Sequence, residues 1–338
     1  MKKVIILYFI SIFIIFSFSA VSHSFIVESK VQDATGPIIA DHTVVKYVMN
    51  DEIPDQAIIN AKNKLHIAYQ HTSHGSQITT GMQNLPAFKE ANNGTPGLYT
   101  WHDGIENGTL DLDDYCCSSY ASNANDVGYS GWSEATRLYL QDDDNADVNV
   151  MVWSWCGQVD SVNLTSHYFE PMLQLESEFP DVLFVYMTGH VEAYNQEDER
   201  ANNEIRDFVK EHNKILFDFA DIESFDPDGN YYGDKDLGDD CSYDLGNGSR
   251  GNWCTEWQEE HPNEWYSCSS AHSHPLNANM KAYAAWWLWA TLAGYQTITL
   301  SSGVRPPNDS STSFSMPILL LIPVFIVIKT RRNKKEIS

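Results

Sequence analysis

The segment His71-Thr72-Ser73-His74-Gly75 follows directly on the apolar run 65–69. A hydroxyl nucleophile and two proton carriers therefore stand where a strand ends. In an open parallel sheet, ligands bind outside the carboxyl ends of the strands, so polar residues just past a strand face the crevice. Two further runs end the same way, 148–153 before Ser154-Trp155-Cys156-Gly157-Gln158 and 182–187 before Thr188-Gly189-His190. A serine attacks a carbonyl when a positioned histidine takes its proton and hydrogen-bond donors await the oxyanion. His272 and His274 lie late in the chain, the second directly before Pro275, a residue well tolerated at a helix start. Ser73 is thus the expected nucleophile and His274 the expected base. Ser76 is the competing hydroxyl, and capping of the next helix is the plainer role for Ser73.

The elements that must position these groups follow from hydrophobic patterning. Runs at 65–69, 148–153, 182–187 and 215–219 read as strands, with 97–101 as a further one; 76–91, 132–141, 165–178, 195–212 and 276–294 read as helices. Strands alternating with helices predict an α/β fold, a three-layer αβα sandwich around a mainly parallel five-stranded sheet. Two stretches interrupt the alternation: 102–131, with the vicinal Cys116 and Cys117, and 224–270, acidic and rich in Trp and Cys. Loops of that length are usually functional or cross-linked, and both are placed to wall a pocket.

The ends read as targeting segments. Residues 1–22 have the charge, apolar core and small-residue order of a signal peptide, leaving 23–61 as an N-terminal extension before a domain at 62–297. A polar linker, 298–313, leads to 314–338, an apolar segment with a basic end that reads as a transmembrane or sorting anchor. The expected location is the cell surface, with the membrane as a partner through that anchor. The chain carries 21 Lys and Arg against 46 Asp and Glu, a formal net charge of −25, which argues against nucleic acid as a partner. Six cysteines in an exported chain allow up to three disulfides, and Cys241, Cys254 and Cys268 share one loop-like region.

The order of these blocks resembles the SGNH, or GDSL-like, hydrolase superfamily, over roughly residues 62–296. Ser73 falls at the family's nucleophile position, in a His-x-Ser-x-Gly pattern where Gly-Asp-Ser is usual. The resemblance implies a flavodoxin-like fold, no cofactor, and an oxyanion hole from the Ser73 backbone N–H, a glycine of the Asp126–Trp132 segment (Gly131, or Gly128) and Gln158 in the place of an asparagine. The Asp expected three residues before the catalytic histidine is absent: Ala271 precedes His274 at that distance, and Ser269 precedes His272. An acid of the 224–270 loop, such as Asp239, Asp240 or Glu259, would replace it, or the pair would act as a dyad.

His71, His74, Cys156, His190 and His272 are the expected substrate-lining groups. The function implied is extracellular hydrolysis of an ester, with an acylated carbohydrate as substrate, the latter suggested by Trp253, Trp257, Trp265 and Tyr266 as stacking surfaces. Two alternatives belong to other classes: an inactive glycan-binding relative, and a metal-dependent hydrolase using the histidine clusters, although no metal is required by the main reading.

Overall fold

The computed structural model describes residues 36–120, 126–246 and 248–296. Its frame is one seven-stranded, wholly parallel sheet: β1 (Ile38–Ala40), β2 (His66–Gln70), β3 (Trp101–His102), β4 (Leu110–Asp114), β5 (Val150–Trp153), β6 (Leu183–Met187) and β7 (Ile215–Phe217), in the order β1-β7-β6-β5-β2-β4-β3. A small antiparallel pair, β8 (Ser242–Asp244) and β9 (Arg250–Asn252), lies within the 224–270 stretch. The helices are α1 (His42–Met49), α2 (Asp55–Lys64), α3 (Ser76–Ala91), α4 (Trp132–Leu140), α5 (Glu170–Glu178), α6 (Gln196–His212), α7 (Phe219–Glu223), α8 (Trp253–Glu260) and α9 (Pro275–Leu292). A single π turn, Thr165–Phe169, precedes α5.

The sheet has seven strands where sequence patterning leads to five. The inner five, β4-β2-β5-β6-β7, keep the doubly wound order in which the chain leaves β2 toward one side and then crosses to the other at β5. The two additions are short edge strands. β1 carries three residues and pairs with β7 from Ile38↔Ile215 to Ala40↔Phe217, while β3 is two residues long and lies at 101–102 rather than 97–101. β4 reads Leu-Asp-Leu-Asp-Asp, buried only at its leucines, so it offers no continuous apolar run.

α9 explains most of the core on one side of the sheet. It is apolar around nearly its whole circumference, from Leu276 to Leu292, and it touches α1, α2 and α3 as well as β1 and β7. A helix without a polar face must be enclosed by neighbours. At Gly81 the approach of α3 is so close that a Cβ would stand 2.2 Å from the Ala278 carbonyl oxygen. α4 packs on α5, while α5 and α6 pack on β6.

Among the described residues no helix is long and apolar enough to cross a membrane. The expected signal segment and the linker and anchor at 298–338 lie outside the described residues. Of the expected 23–61 extension, residues 36–61 supply β1, α1 and most of α2.

Candidate active site

The switch point of the sheet lies between β2 and β5, and the turns leaving those two strands are forced together. A Cβ on Gly75 would lie 2.4 Å from His71 Cβ and 2.5 Å from Ser154 Oγ, so only glycine lets the two turns touch. This closeness brings Ser73 and His74, after β2, against Cys156, after β5. Ser73 Oγ is 3.4 Å from Cys156 Sγ, and Cys156 Sγ is 3.6 Å from His74 Nδ1. The other imidazole nitrogen of His74, Nε2, lies 3.0 Å from Asp239 Oδ2. Thiol, imidazole and carboxylate are therefore in line, with Asp239 supplied by the 224–270 excursion just before its disulfide, Cys241–Cys254, whose Cα atoms are 5.7 Å apart.

His74 is also clamped on both faces. The His190 ring stacks on it at a centroid distance of 3.9 Å, and the His272 ring at 4.3 Å on a plane tilted 15°. His190 comes from the turn after β6, and its Nδ1 lies 2.8 Å from the Val191 carbonyl. His272 comes from the turn before α9, where its φ of 65° places a non-glycine residue in the left-handed region. That turn is held by Gln77, whose Nε2 donates to the Ala271 carbonyl at 2.6 Å.

The electrostatics match the geometry. The His74 hydrogen bond, with further bonds from Ser73 and Thr72, outweighs burial and draws the Cys156 thiol down to about 6. For His74, burial favours the neutral ring, but the bonds to Asp239 and Cys156 and the charge of Glu223 raise it to about 9. Burial would raise the Asp239 carboxyl, yet its bond to His74 and the neighbouring imidazoles hold it below the usual carboxylate range. These directions describe a thiolate–imidazolium pair oriented by a carboxylate.

The other residues expected from sequence sit as follows. His274 Nε2 faces Asn252 Nδ2 at 3.3 Å, burial lowers its pKa, and no hydrogen bond joins it to Ser73. Gln158 spends its amide on backbone: its Oε1 accepts from Cys156 N–H at 3.0 Å and its Nε2 donates to the Val127 carbonyl at 2.9 Å. Its oxygen fixes the Cys156 backbone, and one of its two amide N–H donors is spent on Val127. Gly131, at φ 99°, opens α4, its carbonyl accepting from Ala135. His71 is fully buried, one ring nitrogen 2.7 Å from Asp114 and the other 2.9 Å from the Thr72 carbonyl; it is a strut beneath the turn. Trp253, Trp257 and Tyr266 are buried and Trp265 is packed against the core, so these rings present no open stacking platform.

The role of Asp239 was only one of three acids suggested by sequence, because a loop that returns to the site through a hairpin and a disulfide leaves no periodic signature. Among the described residues three sets of ligating atoms lie within 4.8 Å of one another: those of His74, Asp239 and His272 here, those of His66, Asp111 and Asp113 at the opposite end of β2 and β4, and those of Asp41, His42 and Asp221. Of the six cysteines, Cys116, Cys117, Cys156 and Cys268 are free thiols. No protein-family model matches the chain, and no curated protein matches its sequence.

Proposed function

We propose that the protein is a hydrolase of acyl esters in which Cys156 is the nucleophile, His74 the acid and base, and Asp239 the group that orients His74. The observation that carries this reading is the continuous contact Cys156 Sγ–His74 Nδ1 and His74 Nε2–Asp239 Oδ2 at 3.6 and 3.0 Å. The reading keeps the SGNH-like, flavodoxin-like expectation for architecture, supported by the inner strand order, and places the attacking atom one turn away from Ser73.

In this reaction the thiolate adds to the substrate carbonyl carbon, and the C=O electron pair moves to oxygen. Collapse of the tetrahedral species expels the alcohol, which takes the proton from His74, leaving a thioester on Cys156. His74 then removes a proton from water, the resulting hydroxide adds to the thioester, and the thiolate leaves. In this reading the oxyanion is held by the N–H groups of Ser73 and Gly157, which have no acceptor among the described residues. The Ser73 hydroxyl, beside the sulfur, stabilises the thiolate.

The test is incubation of the full chain with 4-nitrophenyl acetate and mass spectrometry of the trapped species. An acetyl group on Cys156, absent in Cys156→Ala, supports the proposal. Fluorophosphonate labelling at Ser73, with activity retained in Cys156→Ala, would replace it with the serine hydrolase reading. The second reading, a metal-dependent hydrolase, is favoured by the convergence of His74, Asp239 and His272; stoichiometric zinc in active protein, with activity abolished by chelation, selects it.

A further inference from the structure

A cavity of about 610 Å³ opens among α6, α7 and the segments 191–195 and 231–237. Val191, the residue after His190, lines it on one side, and Leu237, two residues before Asp239, on the other. Gly238 approaches the Ala193 side chain, with a Cβ at 3.8 Å, so the segments carrying His190 and Asp239 form both the edge of the site and the wall of the cavity.

The lining is anionic. Glu192, Asp198, Glu199, Asp234 and Asp236 line it, and none of the five has an ion-pair partner among the described residues. The cation in the wall, Arg206, is already neutralised: its Nε and second terminal nitrogen bind Asp218 at 2.7 and 2.8 Å. Asp221 is committed to His42 at 2.5 Å. Asp198 stands apart from the surface acids because it is 5% exposed. One of its carboxylate oxygens accepts from Asn202 Nδ2 at 3.2 Å, and the other has no partner among the described residues. Burial, followed by the charges of Asp160, Glu192 and Glu223, raises its pKa to about 8 and outweighs the opposing charge of Arg206, as expected of a buried carboxylate without an ion-pair partner.

We propose that this cavity is the recognition subsite for an organic cation, a primary ammonium or guanidinium group carried by the substrate, with Asp198 at its base. This rests on the reading of Cys156 as the nucleophile only in making the occupant a substrate; the cation site itself stands on the cavity. Two features select an organic cation over a metal ion. No three of the lining carboxylates bring ligand atoms within 4.8 Å of one another, and the cavity is far larger than the ligand shell of one ion. The half-exposed Tyr231 ring in the wall adds an aromatic surface of the type that favours alkylammonium groups.

The experiment is calorimetric titration of the full chain carrying Cys156→Ala with cadaverine, at physiological salt. Cadaverine should bind, pentane-1,5-diol should not, and Asp198→Asn should weaken cadaverine binding at least tenfold. If Asp198→Asn fails to fold, the paired change Glu199→Gln with Asp234→Asn should weaken binding at least threefold. No binding of cadaverine, equal binding of the diol, or binding unchanged in these variants overturns the subsite. Displacement of cadaverine by an equal concentration of Ca²⁺ overturns it in favour of a metal site. Because the probe protein lacks Cys156, these outcomes are independent of the nucleophile. With the unmodified chain, a 4-nitrophenyl ester of 6-aminohexanoate should show at least tenfold higher kcat/KM than that of hexanoate; turnover of neither, with cadaverine binding intact, would remove the hydrolase reading and keep the cation site.

Discussion

A thiol held at about 6 beside an imidazole held at about 9 makes a definite statement about reactivity. Below pH 6 Cys156 is protonated and unreactive; between 6 and 9 thiolate and imidazolium coexist; above 9 His74 loses the proton that the leaving group needs. Esterase activity should therefore follow a bell with limbs near those values, and the rate of iodoacetamide alkylation at Cys156 should rise through about pH 6. In His74→Ala the thiol should return toward its ordinary range, and alkylation at pH 7 should slow roughly fivefold, the lost thiolate fraction being partly offset by the greater nucleophilicity of a more basic sulfur. Asp239→Asn tests orientation rather than charge alone. Nε2 of His74 would face an amide that can present its donor, and kcat should fall by about 10²-fold or more, with KM little changed, in steady-state assays. The same two groups influence stability with opposite signs. The raised His74 contributes stability that is complete below its unfolded value near 6.5 and is lost as pH rises through about 9. The depressed Asp239 contributes stability above its unfolded value that is lost as pH falls through its folded one.

At the scale of elements, the site depends on a polar knot buried between α3, α7 and α9. Lys281 of α9 is completely buried; it donates to Glu223 Oε1 at 2.6 Å and to the Gln77 side-chain carbonyl. From there the two branches reach the two walls of His74. Gln77 holds the Ala271 carbonyl beside His272, and Glu223 Oε2 accepts from Val191 N–H at 2.8 Å, beside His190. Lys281 thus acts through others, as a positioning residue for both stacked rings. Lys281→Ala would leave Glu223 as an uncompensated buried charge, and urea unfolding should show a loss of about 3–5 kcal/mol. The double change Lys281→Met with Glu223→Leu removes both charges and should recover most of that loss, since an apolar pair can replace a buried ion pair at little cost. Yet kcat/KM should stay depressed about tenfold, because the Val191 anchor and the Gln77 bond to α9 are both gone. A role confined to stability would restore both quantities together.

The whole molecule shows what sequence patterning reaches and where it stops. Long periodic segments are legible: 76–91 and 195–212 become α3 (Ser76–Ala91) and α6 (Gln196–His212), and the polar residues after β2, β5 and β6 do converge because a parallel sheet aligns its strand ends. Pairing across the fold is not legible: His274, expected beside Ser73, faces Asn252, while His74 meets the Cys156 sulfur, and Asp239 is one acid among many in its loop. Short edge strands escape for the same reason, and β1 is the case with the largest consequence. Its segment buries Ala40, Val44, Val45, Val48, Ile53, Ala57, Ile58 and Ala61, against α9 and the sheet edge. It also caps Lys89, 3% exposed, whose ammonium donates to the Val48 and Met49 carbonyls and meets Asp51 at 2.7 Å. The backbone of Ala40 accepts from Asp218, the partner of Arg206. A chain beginning at residue 62, where the sequence reading starts the domain, would expose one side of α9 and strip Lys89 of the Val48, Met49 and Asp51 acceptors. Each of the larger apolar side chains is worth about 1.5–3 kcal/mol, and net stability is usually 5–15 kcal/mol, so the loss exceeds what a domain can absorb. Residues 62–296 alone should therefore lack a cooperative thermal transition and be cleaved rapidly by protease, whereas 36–296 should melt cooperatively and resist cleavage. A cooperative transition in the shorter chain would mean that α9 finds cover elsewhere and that β1 is an accessory edge.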